Sequence, residues 1–315
     1  MRQIIKALSQ VYLDLNFKTS NGLHVQIAEF PARWMDHSAL SALRQDLRTV
    51  AATSLSAGDL DYGVFSADSD RLKQTIVTLV KQRDGTPIAF NALAVIETEA
   101  HTHRIAKILH LGLVMIDPGQ RSRGLSWILY GLTCFLLFLR NGLRPLSVSN
   151  VTQVPAVAGL VAETFSNVYP TPASTENADF QKLLLARAIM ADHRHVFGVG
   201  PEAEFDENSF IITNAYTGGS DHLKKSFEQA AKHRIEHYNS YCEKMLDYER
   251  GDDLLQIGQI DLAAASSYIS KQVPKGSILN VMALSLLVAM RRVILPVSHW
   301  FNSNKDYGNL RALKK

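Results

Sequence analysis

Between a strand-like run and a long uncharged run lies Pro118-Gly119-Gln120-Arg121-Ser122-Arg123-Gly124-Leu125-Ser126, the stretch of this chain best suited to chemistry. Read as Arg121-x-x-Gly124-x-Ser126, it puts a tight, amide-rich turn at the start of an expected helix. The first N–H groups of a helix lack partners within it, and its dipole favours negative charge there. Gly124 permits close backbone approach, Ser126 is too small to block a bound group, and Arg121 and Arg123 add positive charge. The pattern suits phosphate. A Walker-type loop is excluded because no Gly-Lys-Ser/Thr follows. The dinucleotide fingerprint is excluded too, since only one of its glycines is present.

His110 is the next residue of interest, six positions before Ile116 and therefore expected on the same strand face. An imidazole with an ordinary pKa near 6.5 suits proton transfer from an ammonium or hydroxyl. His233-Arg234-Ile235-Glu236-His237 spells H-x-x-E-H, which on a helix would put two zinc ligands on one face with Glu236 as base. The charged surroundings favour a solvated helix face instead. The pairs His101/His103 and His193/His195 have no partner at a zinc-site spacing, so no metal is expected. Asp206-Glu207 and Asp252-Asp253, next to turn residues, read as solvated loops, or otherwise as contacts for a substrate amine. Cys134 lies in an apolar run and is expected to be inert, and no Gly-x-Ser-x-Gly elbow supplies a serine nucleophile.

The elements that would position these groups follow from periodicity. Strands are expected at 23–30, 75–83, 87–97 and 104–116, with Asp84-Gly85 closing a hairpin. Helices are expected at 36–55 and 124–139, the latter stopped by Asn141-Gly142. A strand over 143–151 and a helix over 155–165 complete this part. After Tyr169-Pro170-Thr171-Pro172 charged helical patterns take over, at 179–192 and in one long helix over 222–250. In that helix Leu223, Phe227, Ala231, Ile235, Tyr238, Tyr241, Met245 and Tyr248 form a single apolar stripe. The expected organisation is a lead-in over 1–21, a catalytic domain over 22–172 and a mainly helical region over 173–315.

The composition sets bounds on function. With 33 Lys+Arg against 30 Asp+Glu, the net charge of +3 is too small a bias to argue for nucleic acid. Two cysteines exclude a disulfide scaffold. The N-terminus lacks the apolar core of a signal peptide, so a cytoplasmic location is expected. Two uncharged runs, 124–139 and 276–290, fall short of the ~20 residues that span a bilayer. The first reads as a core helix. The second carries Leu279, Val281, Met282, Leu286, Leu287 and Val293, with Arg291, Arg292 and Trp300-Phe301 near its end, and reads as either a core helix or a helix lying on the inner face of a membrane.

The motif and its placement resemble the GNAT superfamily of N-acetyltransferases. That superfamily's pyrophosphate signature is Gln/Arg-x-x-Gly-x-Gly/Ala, shortly after a proline that ends a strand; here Ser126 takes the last small position. The order of elements over 22–170 also resembles it, about half of the chain. The resemblance implies an α/β fold, a GNAT-like mixed sheet flanked by helices, and acyl-CoA as co-substrate. The amides of Arg121, Ser122, Arg123, Gly124, Leu125 and Ser126 would hold the pyrophosphate of coenzyme A. Val114 and Ile116 would border pantetheine, and Asn150 would meet the cofactor arm. His110 stands where the histone-acetyltransferase branch has a catalytic glutamate. A tyrosine acid is often found on the following helix; that helix has none, and Tyr169 comes just after it. The implied reaction is direct acyl transfer to an amine, with bacterial ceramide synthase as a lipid-acylating instance of similar enzymes. The alternatives are a small-molecule or peptide N-acetyltransferase, an H-x-x-E-H metallopeptidase, and a non-enzymatic anion-binding protein.

Overall fold

The computed structural model describes residues 10–19, 21–54, 63–65, 69–100, 104–121, 124–174, 178–218 and 220–271, with 273, 282, 286, 297, 300 and 301. β1 (Asp14–Lys18), β2 (His24–Glu29), β3 (Thr75–Lys81) and β4 (Pro87–Ala100) run antiparallel in chain order. The β3–β4 turn forms as its residues dictate: Gly85 takes φ 90°, and the Asp84 carboxylate accepts the Thr86 N–H at 3.0 Å. β5 (Arg104–His110) and β6 (Val114–Ile116) follow, both against β4. β7 (Leu146–Thr152) lies parallel to β5, and beyond it come β8 (Ser166–Tyr169), β9 (Glu204–Asp206), β10 (Ile211–Thr213) and β11 (Asp253–Ile260). The result is one open mixed sheet flanked by helices, an α/β architecture.

Helix α1 (His37–Ser54) covers one face, with Leu43, Leu47 and Val50 buried against β3 and β4. On the other face lies α2, a π-helical turn over Trp127–Leu132 that continues as α-helix over Thr133–Arg140. The expected core helix is found here: Ile128, Leu129, Leu136 and Phe138 are buried. Its end is also as expected, with Gly142 at φ 68°. The π turn is held by side chains that satisfy its carbonyls, Asn91 donating to Leu129 O at 2.7 Å and the Tyr268 hydroxyl to Trp127 O at 3.2 Å. Gly131 makes room for that tyrosine, because a Cβ there would lie 2.1 Å from the Tyr268 ring.

The part after residue 172 differs from the expected helical region. Helix α3 (Pro155–Thr164) precedes it; within it α4 (Phe180–Ala188), α5 (Glu236–Met245) and α6 (Leu262–Lys271) are present, but β9, β10 and β11 also belong to the sheet. β11 pairs with the whole of β7 through Leu254–Ile260, so the sheet runs unbroken across the boundary expected near 172. The long helix over 222–250 is not formed; only α5 is helical between the short turn at Asp221–Leu223 and β11. Tertiary packing overrides the periodic stripe. The Phe227 and Tyr248 rings stand 5.3 Å apart, whereas 21 residues of helix would separate them by roughly 30 Å. Of the apolar run after 276, Leu279, Val281, Leu287, Arg291, Arg292 and Val293 lie outside the described residues. Met282, Leu286, Val297, Trp300 and Phe301 are exposed, the last two by 86% and 83%. No helix among the described residues is long and apolar enough to cross a membrane.

Candidate active site

A one-residue irregularity shapes the centre of the sheet. His110 is opposite Ala94 and Val114 is opposite Asn91, so β5–β6 advances four residues while β4 advances three. The extra residue falls in Leu111-Gly112-Leu113 and reverses the side-chain alternation. The shared face expected for His110 and Ile116 is therefore lost. His110 lies on the face of Ile108, against Phe197 of the turn Arg194–Phe197, and Ile116 packs with Val114 in the layer under α2.

At the same place the strands part. β5 pairs with β7 over Ile108–His110, and a last bond joins Leu111 N–H to Ser149 O at 2.7 Å. Beyond it, among the described residues, β6 stays with β4 and β7 with β11. The gap opens into a cavity of about 300 Å³. Tyr130 of α2 and Val157 of α3 line it from one face of the sheet, Val64, Val196 and Phe197 from the other.

His110 lines this cavity and is 3% exposed. Its Nδ1 lies 3.1 Å from Ser149 Oγ, and its ring stacks on Phe197 at 4.9 Å. Burial pushes its pKa down to about 4, so the imidazole is neutral at physiological pH and far weaker as a base than an ordinary histidine. The pKa near 6.5 expected from the sequence does not hold. Because the folded-state value is depressed, the unfolded chain binds the extra proton first as pH falls from 6.5 toward 4. The wild type should therefore lose roughly 3 kcal/mol over that window relative to His110→Gln, measured by urea unfolding at pH 7 and pH 4. Equal pH dependence in both proteins would contradict this.

Asp253, the first residue of β11, lines the same cavity and is 6% exposed. The expectation of a solvated Asp252-Asp253 loop is overturned. Asp252 is also buried and receives two hydrogen bonds from Arg250, at 2.8 and 2.7 Å. The Tyr216 hydroxyl donates to Asp253 Oδ1 at 3.0 Å. Burial raises the Asp253 carboxyl to about 8, with the Tyr216 bond opposing the rise and the Asp252 charge adding to it. Ile257 is opposite Ser149, which is opposite His110. Asp253 is thus two strands across and four residues along from His110, roughly 16 Å by ordinary strand spacing.

The motif turn takes the conformation its glycine allows, with Gly124 at φ 69°. Ser122 and Arg123 lie outside the described residues. Leu125 is a core residue, while Gly124 and Ser126 border an open groove together with Lys232, Arg234 and Lys271. Lys225, which the sequence reading did not single out, lines the cavity and has no carboxylate within ion-pair distance among the described residues. It is exposed overall, yet local packing and the Arg121 guanidinium hold its ammonium below the usual lysine range. Arg121 of the turn and Lys225 of the cavity wall are thus near enough for their charges to act on each other.

Asn150 borders the cavity but donates to Gln256 Oε1 at 3.2 Å, and Gln256 in turn donates to the carbonyls of Ala158 and Pro170. Tyr169 is not part of the cavity wall. Its hydroxyl donates to Asn208 O at 2.8 Å and its ring meets Phe210 edge-on. The tyrosines that do reach the cavity are Tyr130 and Tyr216. The H-x-x-E-H stretch is not one helix face, because α5 begins only at Glu236 and Ile235 is extended. His233 packs against Gly159 and Tyr238, and no group of three metal-ligating side chains occurs among the described residues. Burial pushes the thiols of Cys134 and Cys242 up to about 12, which leaves both unreactive.

No protein-family model matches the chain, and no curated protein matches it. Among solved structures, a point variant of the BH1408 protein from Bacillus halodurans aligns with 35% of this chain and 71% of that one. The identity is 12% and the TM-score 0.21, a likeness too weak to carry any argument about function.

Proposed function

We propose that this protein is an acyl-CoA-dependent N-acyltransferase of GNAT-like design. The observation that carries the reading is the parting of β5–β6 from β7 directly before the Arg121-x-x-Gly124-x-Ser126 turn. Such a gap leaves backbone edges near Val114 and Asn150 for an extended pantetheine arm. The turn, with Arg121 and Lys225 beside it, suits the pyrophosphate. The amine attacks the thioester carbonyl, a C–N bond forms, the C–S bond breaks, and the nitrogen's proton leaves with the thiol of coenzyme A. Holding both reactants in one cavity supplies much of the rate, and a nearby strand amide stabilises the oxyanion. The exposed Met282, Leu286, Trp300 and Phe301, with Arg291-Arg292 between them in sequence, support a membrane surface as the source of a long-chain amine acceptor.

Calorimetric titration with acetyl-, octanoyl- and palmitoyl-CoA tests the reading, combined with flotation on anionic vesicles. The expected result is micromolar or tighter binding that strengthens with chain length, and flotation that weakens in a Trp300→Ser/Phe301→Ser variant. Absence of binding to all three thioesters refutes the acyltransferase reading. Binding of acetyl-CoA alone, without flotation, replaces the lipid acceptor by a small soluble amine or peptide.

A further inference from the structure

Apolar side chains make up much of the cavity wall, and among its polar groups Asp253 stands out as a buried carboxyl. Asp253 is a carboxyl more than nine-tenths buried, yet only Oδ1 is hydrogen-bonded, by Tyr216. Oδ2 accepts no hydrogen bond among the described residues, although Asp253 borders the cavity. A carboxyl this buried, with one oxygen left open to the cavity, is placed to accept a hydrogen bond from a donor that a ligand brings. The titratable groups near it are Tyr216, Tyr248 and Asp252, the last neutralised by Arg250. Lys225, Arg71 and His110 lie elsewhere on the same wall, and none of them forms an ion pair with it.

We infer that Asp253, held by Tyr216, binds the ammonium group of the acceptor and takes its proton before acyl transfer. This rests on the acyltransferase reading and names the group that selects an amine. In the step, Asp253 first releases its own proton to solvent as the ammonium binds; an N–H bond of the ammonium then breaks and an O–H bond forms at Oδ2, which leaves the nitrogen lone pair free to attack the thioester. His110 cannot perform this for an amine held at Asp253, since it stands roughly 16 Å away. A buried carboxyl whose affinity for protons is raised toward that of an amine is well matched to the exchange.

The full chain, titrated with n-octylamine and with n-octanol at pH 7 in two buffers of different ionisation enthalpy, tests the inference. The amine is expected to bind at least about tenfold more tightly than the alcohol, releasing close to one proton because Asp253 gives up its own. Asp253→Asn should bind the two probes equally and release none, and Asp253→Glu should restore part of the preference. Equal binding by the wild type, or a preference that survives in Asp253→Asn, overturns the inference. If Asp253→Asn does not fold, the wild-type preference and proton release decide it. Palmitoyl-CoA titrated into the same samples keeps the two claims apart. Its failure to bind beside an intact amine preference refutes only the acyltransferase reading, and the converse refutes only the role of Asp253.

Discussion

Replacing Gly112 by alanine is expected to cost about 3 kcal/mol of stability and to abolish acyl-CoA binding in whatever protein still folds. A Cβ at this position would lie 2.3 Å from the carbonyl oxygen of Ala92, a backbone atom. That backbone cannot move aside, because Ala92 is opposite Val77 in β3 and its N–H donates to Leu113 O at 3.0 Å. The clash must be relieved either by pulling β5–β6 away from β4 or by losing the extra residue that turns His110 and Ile116 to opposite faces. Both deform the cavity wall. Urea unfolding and palmitoyl-CoA titration of Gly112→Ala check this. A variant with unchanged midpoint and unchanged affinity would mean that the close approach of Gly112 to Ala92 is not a fixed feature of the fold.

The second large effect is expected at Gly124. Its φ of 69° is strained for any β-branched residue, so Gly124→Val should disturb the turn itself and weaken stability and ligand binding together. Gly124→Asn separates the two, because asparagine tolerates the left-handed region while adding a side chain where phosphate would approach. Space is not limiting in the free protein: the nearest atom to a Cβ there is Trp127 Cδ1, at 4.0 Å. Gly124→Asn should therefore unfold like the wild type but bind palmitoyl-CoA at least about thirtyfold more weakly, a loss of about 2 kcal/mol. Arg121→Ala and Lys225→Ala should each cost about tenfold, the worth of one charge-assisted hydrogen bond. Wild-type affinity in a well-folded Gly124→Asn would remove the turn from the binding site.

Local chemistry explains which features could be read from the residues. Asp84-Gly85 and Asn141-Gly142 announce a hairpin and a helix end because positive φ is required there and few residues supply it. The turn around Gly124 is legible for the same reason. The bulge at Leu111–Leu113 is marked only by Gly112, a glycine inside an apolar strand whose hydrophobic pattern is otherwise unbroken, yet it inverts the faces after it. Long-range pairing hid β11: its residues Leu254, Leu255 and Ile257 are buried without alternation, and its partner β7 is remote in sequence. Asp253 was masked by its neighbours, as Gly251-Asp252-Asp253 reads as a turn. The available clue was a charged residue directly before Leu254-Leu255 in a segment otherwise free of charge up to Ile260, where burial needs a reason. The helix over 222–250 failed for the opposite cause, a regular stripe that tertiary contacts such as Phe227 with Tyr248 break up.

The position of β11 next to β7 also fixes when this protein can become itself. Asn150 and Gln256, hydrogen-bonded neighbours in the finished sheet, are 106 positions apart. During synthesis every residue from β1 to β7 has emerged long before β11 exists, so the nascent sheet carries an open β7 edge for several seconds at ordinary translation rates of ~5–20 residues per second. Such an edge invites pairing with other chains until its proper neighbour arrives. The cavity wall that carries Asp253 is thus among the last parts to form. A ribosome-bound chain stalled before Asp253 emerges should remain protease-sensitive, while one stalled with Ile260 well clear of the exit tunnel should gain protection abruptly.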